Sequence, residues 1–160
     1  MNVEDVLKYG DLTLLKSLEG LKNKDQEKKG ACGVWSIKDV LSHLTSYEIM
    51  LSDLLGTFLN IKEQSPTLDL LQSSGGEFND IEVGKRANKP FSEILKEYKK
   101  AHSQVMKRAK QIPEKMLSKN GAIPGYGDYY SLEDYIVYRN YGHKREHCAQ
   151  IVVFRDNLNS

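Results

Sequence analysis

Long apolar runs are missing from this 160-residue sequence, in which no stretch approaches the roughly 20 apolar residues of a membrane-spanning helix. Cysteine is scarce as well, because Cys32 and Cys148 are too few for a disulfide framework. The first residues lack a basic stretch followed by an apolar block, so no signal peptide is expected. These absences argue against a membrane protein and a disulfide-stabilised secreted domain. We expect a cytoplasmic protein.

The charges of the sequence nearly balance, with a formal net charge of +1, although the first half is acidic and the second half basic. In the basic half the cations are dispersed at helical spacing, as at Lys96, Lys99, Lys100, Lys107 and Lys110. This pattern is typical of a solvated helix face and not of a nucleic-acid site. We therefore expect neither a nucleic-acid partner nor a membrane, and predict a small-molecule substrate.

Apolar residues recur every three or four positions in four segments, which is the spacing of an amphipathic helix. The segments are residues 3–21, 36–59, 92–112 and the stretch that begins at 131. Ser36 with Asp39, and Ser131 with Asp134, have the spacing of capping boxes, while Ser92 opens the third helix. Gly10 weakens the first helix by about 1 kcal/mol relative to alanine, but allows another helix to approach closely.

Proline and glycine residues interrupt this pattern between residues 60 and 90. We predict a long crossing loop there with a short helical piece near 67–72, and a second loop over 23–33. The sequence shows neither an alternating strand pattern nor an internal repeat. It therefore predicts a single all-α domain over residues 1–160, an up-down four-helix bundle with a long crossing loop.

Three of the four histidines have the spacing of a metal site. His143 and His147 lie four residues apart on the last helix, so their side chains differ by about 40° in direction and about 6 Å along the axis. His43 lies within the apolar stripe of the second helix. If these helices face each other, three imidazoles converge and leave positions open for water or substrate, as in a catalytic site. Buried histidines are also common core residues, and the spacing alone leaves both interpretations open.

Several polar residues near the histidines are candidates for proton handling. Tyr47, Tyr138 and Tyr141 occur at the same levels of the helices and can offer hydroxyl groups or line the core. Glu146 completes an H-x-x-E-H pattern, which is typical of inverted zincin peptidases. Helical geometry turns Glu146 about 60° from His143 and about 100° from His147, toward the flank, which disfavours a peptidase. We predict Glu146, Tyr47 and Tyr141 as catalytic residues.

Three other side chains have two or more interpretations each. His102 is a fourth ligand, a partner of a ligand or, more simply, a core residue. Asp39, one turn before His43, can orient that imidazole or serve in the helix cap. Cys148 points away from the histidines and is expected to be a packed or surface thiol.

Two tracts of the sequence match a known pattern. WSIKDVLSH, from Trp35 to His43, resembles the start of the second helix in the DinB-like (YfiT-like) metalloenzyme superfamily. YGHKREHCAQI, from Tyr141 to Ile151, resembles the final-helix signature H-x-x-x-H-x-x-Q-I of that family. Residues 78–80 and the helix start PFSEILKEY are similar too, so the resemblance covers nearly the whole chain. The chain is also similar to the related ClbS/DfsB-type bundle proteins.

The resemblance implies a four-helix bundle that holds Zn²⁺ or Ni²⁺ on His43, His143 and His147. It also implies transfer or isomerisation with a low-molecular-weight thiol such as bacillithiol, mycothiol or glutathione. Such chemistry is physically reasonable, because a divalent ion deprotonates a bound thiol or lowers the pKa of a bound water. The likeness to ClbS/DfsB-type proteins implies an alternative, a bundle that binds a toxic small molecule without catalysis. A homodimer formed through the loop 126–130 is a third hypothesis.

Overall fold

The computed structural model describes residues 1–61 and 64–160 and is mostly helical, with one small two-stranded sheet among the described residues. This confirms the all-α class. The helices are α1 Val3–Leu18, α2 Ile37–Phe58, α3 Pro66–Ser74, α4 Phe78–Lys85, α5 Phe91–Ala109, α6 Glu114–Leu117, α7 Leu132–Tyr135 and α8 His143–Asn159. A π-helical segment, Ile136–Gly142, joins α7 to α8 without a break. Short 3-10 turns occur at Asn23–Asp25 and Gly75–Glu77.

Both predicted capping boxes are confirmed. The Ser36 hydroxyl accepts a hydrogen bond from the Asp39 amide at 3.1 Å, and the Asp39 carboxylate accepts one from the Ser36 amide at 2.9 Å. Ser131 and Asp134 make the same reciprocal pair before α7. These bonds satisfy amide groups that a helix start otherwise leaves unpaired, and so they fix where α2 and α7 begin. The third predicted helix begins at Phe91, after Pro90, and not at Ser92.

The connection between α2 and α5 contains more helix than the sequence predicts. The short piece near 67–72 is confirmed as α3, whereas α4 was missed because its glycine and its flanking glycines weaken the helical pattern. Residues 62 and 63 of the predicted crossing loop lie outside the described residues. Arg86 ties this connection to α5 through ion pairs with Glu82 at 2.9 Å and Glu97 at 2.7 Å.

A small antiparallel sheet takes up the last part of the loop predicted over 23–33 and extends beyond it. It pairs β1, Lys29–Cys32, with β2, Trp35–Ser36. Gly33 turns the chain between the strands with a φ of 56°, a backbone conformation that glycine adopts without steric cost. β1 packs on α8 and β2 leads directly into α2, so the sheet places Trp35 at the entrance to that helix.

The directions of the long helices follow from their contacts. On α2 and α5, Glu48 meets His102, and further along both helices the Ser52 carbonyl accepts a hydrogen bond from Arg108. These two helices therefore run in the same direction. The predicted up-down order, in which successive long helices are antiparallel, does not hold for α2 and α5. The long connection between them returns the chain to the end of the molecule at which α2 began.

The first and last helices also run in the same direction. α1 packs on α8, with a Cβ built at Gly10 lying 3.3 Å from Cδ2 of Tyr141, while Ser17 accepts a hydrogen bond from Arg155 further along. A methyl group at Gly10 would require the Tyr141 ring to shift by a few tenths of an ångström, so glycine permits the close approach that the sequence suggests. α2 runs opposite to α8, since His43 lies beside His147 and Glu48 beside Lys144.

Two clusters of buried apolar side chains form the core. One surrounds Leu51, Leu55 and Val105, and the other surrounds Leu41 and Tyr98. The histidine-bearing parts of α2 and α8 border the second cluster. No helix of the described residues is long and apolar enough to cross a membrane.

Candidate metal centre

The three histidines singled out from the sequence meet in the structure. His43 lies on α2 and is 2% exposed, His143 is the first residue of α8 and is half-buried, and His147 follows one turn later at 7% exposed. The Nε2 atoms of His43 and His143 are 2.9 Å apart, and those of His147 and His143 are 3.1 Å apart. All three ligand atoms lie within 4.8 Å of one another. The predicted convergence of the imidazoles is therefore observed.

The far nitrogen of His147 has a partner that sets its proton. Nδ1 of His147 lies 2.8 Å from Oε1 of Gln150, which is an acceptor, so Nδ1 carries the hydrogen and Nε2 presents a lone pair. Nε2 of His143 can then donate to only one of its two close neighbours. Hydrogen bonds between neutral imidazoles therefore cannot satisfy both short contacts. Nδ1 of His43 is buried without a hydrogen-bond partner among the described residues.

Burial keeps the imidazoles in the form that binds metals. Desolvation, followed by the proximity of His143 and His147, lowers the pKa of His43 from 6.5 to about 3. Desolvation, followed by the effects of His147, Arg139 and Lys144, lowers the pKa of His143 to about 4. Both side chains are neutral at pH 7 and do not have to lose a proton before they bind an ion.

The donor set fits a divalent transition metal. Three nitrogens bonded to one tetrahedral ion at about 2.0–2.1 Å lie roughly 3.3 Å apart, and the two observed contacts differ from this by only a few tenths of an ångström. An ion accepts all three lone pairs at once, which a proton cannot do. Imidazole ligands suit both zinc and nickel, so the type of donor atom does not identify the metal. The three-histidine group can hold a metal ion.

Aromatic rings surround the histidines on one side. Tyr47 is half-buried, with its ring centroid 4.7 Å from that of His43 and 4.6 Å from that of His143. Trp35 lies 5.0 Å from His43, and Phe78 lies 5.9 Å from Tyr47. Burial raises the pKa of Tyr47, against the opposing effects of the Arg139 cation and a hydrogen bond with Asn79. Tyr47 therefore stays a neutral phenol beside the histidines.

The other predicted catalytic residues lie apart from the histidines. Glu146 is exposed, and its carboxylate does not belong to the group of converging ligand atoms in the described residues. Tyr141 packs toward α1, with its ring 6.3 Å from that of Tyr9. Tyr138 is 62% exposed. The structure thus brings Tyr47, but neither Glu146 nor Tyr141, into contact with the three histidines.

The structure distinguishes between the interpretations that the sequence left open for His102, Asp39 and Cys148. His102 is not a fourth ligand, because its Nδ1 lies 2.7 Å from the Glu48 carboxylate and it does not join the converging group in the described chain. Asp39 serves the helix cap and an ion pair with Lys29 at 2.6 Å, and makes no hydrogen bond with His43. Cys148 is a packed thiol, 3% exposed, whose pKa is raised by burial.

Three features of the site were missed in the sequence. The π-helical segment directly before His143 has no residue pattern that reveals it. The roles of Gln150 and of Glu48 with Lys144 depend on contacts between distant residues. One signal was present, since Asn140, Lys144, His147 and Ile151 step by four, three and four residues, which places Lys144 on the buried face.

The known proteins provide no further evidence on this centre. Comparisons with models of protein families, with curated proteins and with solved structures found no match for the chain.

Proposed function

We propose that this protein is an enzyme that transfers a low-molecular-weight thiol or water to an electrophilic small molecule, with Zn²⁺ or Ni²⁺ held by His43, His143 and His147. The observation that carries the proposal is the convergence of three imidazoles whose short contacts hydrogen bonds cannot all satisfy. A three-histidine set leaves coordination positions for a reactant. When bound, the ion would make a coordinated thiol or water acidic enough to act as a nucleophile at neutral pH.

The protein residues have separate tasks in this proposal. The three imidazoles hold the ion, and Gln150 keeps the Nε2 lone pair of His147 directed at it. Tyr47 is the residue placed to contact a reactant, because it is a neutral phenol against His43 and His143. Its hydroxyl can donate a hydrogen bond to a substrate oxygen or accept one from the thiol. Glu146 and Tyr141 receive no role, because they lie apart from the histidines.

The fold supports the same assignment. We propose that α1, α2, α5 and α8 form a four-helix bundle of the DinB-like type, to which the WSIKDVLSH and YGHKREHCAQI tracts point. The supporting contacts are those of α2 with α5 and of α1 with α8, together with the opposite directions of α2 and α8. In this arrangement the one histidine of α2 and the two of α8 come from facing helices.

Metal analysis of the purified, tag-free protein tests the proposal. We expect about one Zn or Ni per chain, and none in the His43→Ala/His143→Ala/His147→Ala variant or in His143→Ala. Gln111→Leu, at an exposed position that makes no contact with the histidines in the described residues, is the control and should keep the metal. Metal bound equally by the triple variant, or by neither protein after reconstitution, would refute the centre. Thiol transfer is then assayed with bacillithiol, mycothiol and glutathione against a chromogenic aryl halide.

A second candidate function is small-molecule binding without catalysis, as in the ClbS/DfsB-type proteins. An open groove of about 810 Å³ between α1 and α8 favours it, because that volume suits a drug-sized ligand. Exposed Tyr9 and Val153 line the groove together with Arg145. A ligand-induced rise in melting temperature that survives chelation would support this function over the enzyme. Dimerisation through the loop 126–130, in which Tyr129 is 86% exposed, stays a prediction.

A further inference from the structure

A wholly buried carboxylate lies next to the metal centre and takes no part in it. Glu48, on α2 five residues after His43, is 0% exposed. Its Oε2 atom accepts hydrogen bonds from the Lys144 ammonium at 2.7 Å and from the Asn140 amide at 3.3 Å. Its Oε1 atom lies 2.7 Å from Nδ1 of His102. One carboxylate thus joins α2 to α5 and to the helical run that bears His143.

Stability alone does not explain this arrangement. Lys144 is 2% exposed and its ammonium also contacts the Tyr98 hydroxyl at 3.0 Å, so both charges of the pair are out of water. The cost of removing two charges from water can equal or exceed the energy of their attraction, and an apolar pair of similar volume often stabilises a protein as well. The best-attested use of buried ionic groups is to select one register of packed helices.

The register that this pair selects is the one on which the metal centre depends. Lys144 follows His143 in sequence, and Asn140 precedes it by three residues, while Glu48 shares α2 with His43. A slip of one residue along a helix moves a side chain by about 1.5 Å and turns it by about 100°. The Nε2 atoms now 2.9 Å apart could not remain joined by one ion after such a slip.

The carboxylate is held from its other side as well. His102 binds Oε1 of Glu48, and Nε2 of His102 faces the Asp11 carboxylate on α1 at 3.8 Å. Because both oxygens are engaged, Glu48 cannot change rotamer without breaking contacts to two helices. Glu48 therefore fixes where Asn140 and Lys144, which lie on either side of His143 in the sequence, sit relative to α2.

We infer that Glu48 is a positioning residue for the metal centre, which together with Lys144 and Asn140 fixes the register of α8 against α2 so that the three imidazoles converge. The inference rests on the proposed metal function. It predicts that metal affinity depends on these buried residues although none of them touches the ion.

Replacement of the pair by apolar residues separates positioning from stability. In the Glu48→Leu/Lys144→Met variant no buried charge is left unpaired, although Asn140 and His102 lose an acceptor, so the protein should stay folded with a moderately lowered melting temperature. The affinity for Zn²⁺, measured by competition with a chromophoric chelator, should fall about 10- to 100-fold. The visible absorption of the Co²⁺-loaded protein should change as well, since it reports ligand geometry. A purely structural pair would leave both metal readouts unchanged.

A conservative variant provides the rescue. In Glu48→Gln/Lys144→Met the amide can still accept from Asn140 and contact His102, so the Zn²⁺ affinity should lie between that of the apolar variant and that of the wild type. If the apolar variant does not fold, Asn140→Ala removes one contact and leaves the ion pair in place. Its affinity should fall at least about threefold, and an unchanged affinity and Co²⁺ spectrum would overturn the inference.

The two proposals fail in different ways. A wild-type protein that binds no metal refutes the proposed centre, and with it the positioning role. A wild-type protein with one metal per chain, together with an apolar variant of equal affinity and spectrum, refutes the positioning role alone.

Discussion

At the scale of single residues, Gln150 decides which nitrogen of His147 faces the other histidines. Its Oε1 atom lies 2.8 Å from Nδ1, and it thereby fixes the tautomer. Replacement by Leu should weaken Zn²⁺ binding about 10- to 100-fold, because the imidazole loses its orientation and basicity, whereas Glu should preserve binding. Chelator competition measures both. Gln111→Leu, at an exposed position on the surface, is the control. Equal affinity of Gln150→Leu and the control would contradict this role.

Residue spacing was enough to find the three converging histidines but not their partners. His43, His143 and His147 could be predicted because a helix has a fixed period. Tyr141 was predicted as a catalytic residue because it shares the level of His143, but it lies about 200° around the helix from that residue and packs toward Tyr9. The partners of Glu48 could not be predicted, because its contacts are 54, 92 and 96 residues away in sequence.

At the scale of elements, the π-helical segment makes a distinctive prediction at Gly142. Alanine in place of glycine inside an α-helix stabilises a protein by about 1 kcal/mol. In the π segment a Cβ at Gly142 would lie 3.2 Å from the carbonyl oxygen of Val137, which is backbone and yields little. Gly142→Ala should therefore lower the melting temperature or leave it unchanged.

Gly84 is the matched control for this substitution. It lies within α4, and a Cβ there meets nothing within 4 Å in the described residues. Gly84→Ala should raise the melting temperature by the few degrees expected from helix propensity. If both alanine variants raise it equally, the close approach to Val137 has no energetic effect.

The elements that the sequence failed to predict share a physical cause. β1 and β2 have four and two residues, too few for an alternating pattern to emerge. α4 has eight residues and contains Gly84, so its stability comes from packing on α2 and not from helix propensity. The start of α2 was predicted correctly because Ser36 and Asp39 form a local signal that needs no distant partner.

At the scale of the whole molecule, acid should destabilise the metal-free protein. The pKa values of His43 and His143 are about 3 and 4 in the folded state, against 6.5 for the free side chain. Between these values the unfolded chain binds more protons than the folded one, so stability is full above pH 6.5 and falls as the pH falls. For one such histidine the loss between pH 7 and pH 5 is about 2 kcal/mol.

Denaturant unfolding at several pH values measures this loss. A His43→Gln/His143→Gln variant should lose less stability between pH 7 and pH 5 than the wild type. The Glu48 carboxylate affects stability at lower pH, because Lys144 and His102 lower its pKa against the opposing effect of burial. Its protonation should therefore reduce the free energy of unfolding further below about pH 4.5. Parallel pH profiles for the variant and the wild type would contradict the assignment.

The parallel pairing of α1 with α8 and of α2 with α5 has a consequence for how the chain folds. In a bundle of sequential hairpins each helix finds its neighbour across a short turn, and such proteins fold fast. Here the helix that packs beside α1 is the last one in the chain, and the partner of α2 lies beyond two intervening helices. Loops must therefore close over much of the sequence before the principal helix pairs form. We therefore expect this helical protein to fold more slowly than a bundle of sequential hairpins, and the histidines of α2 and α8 to come together late in assembly.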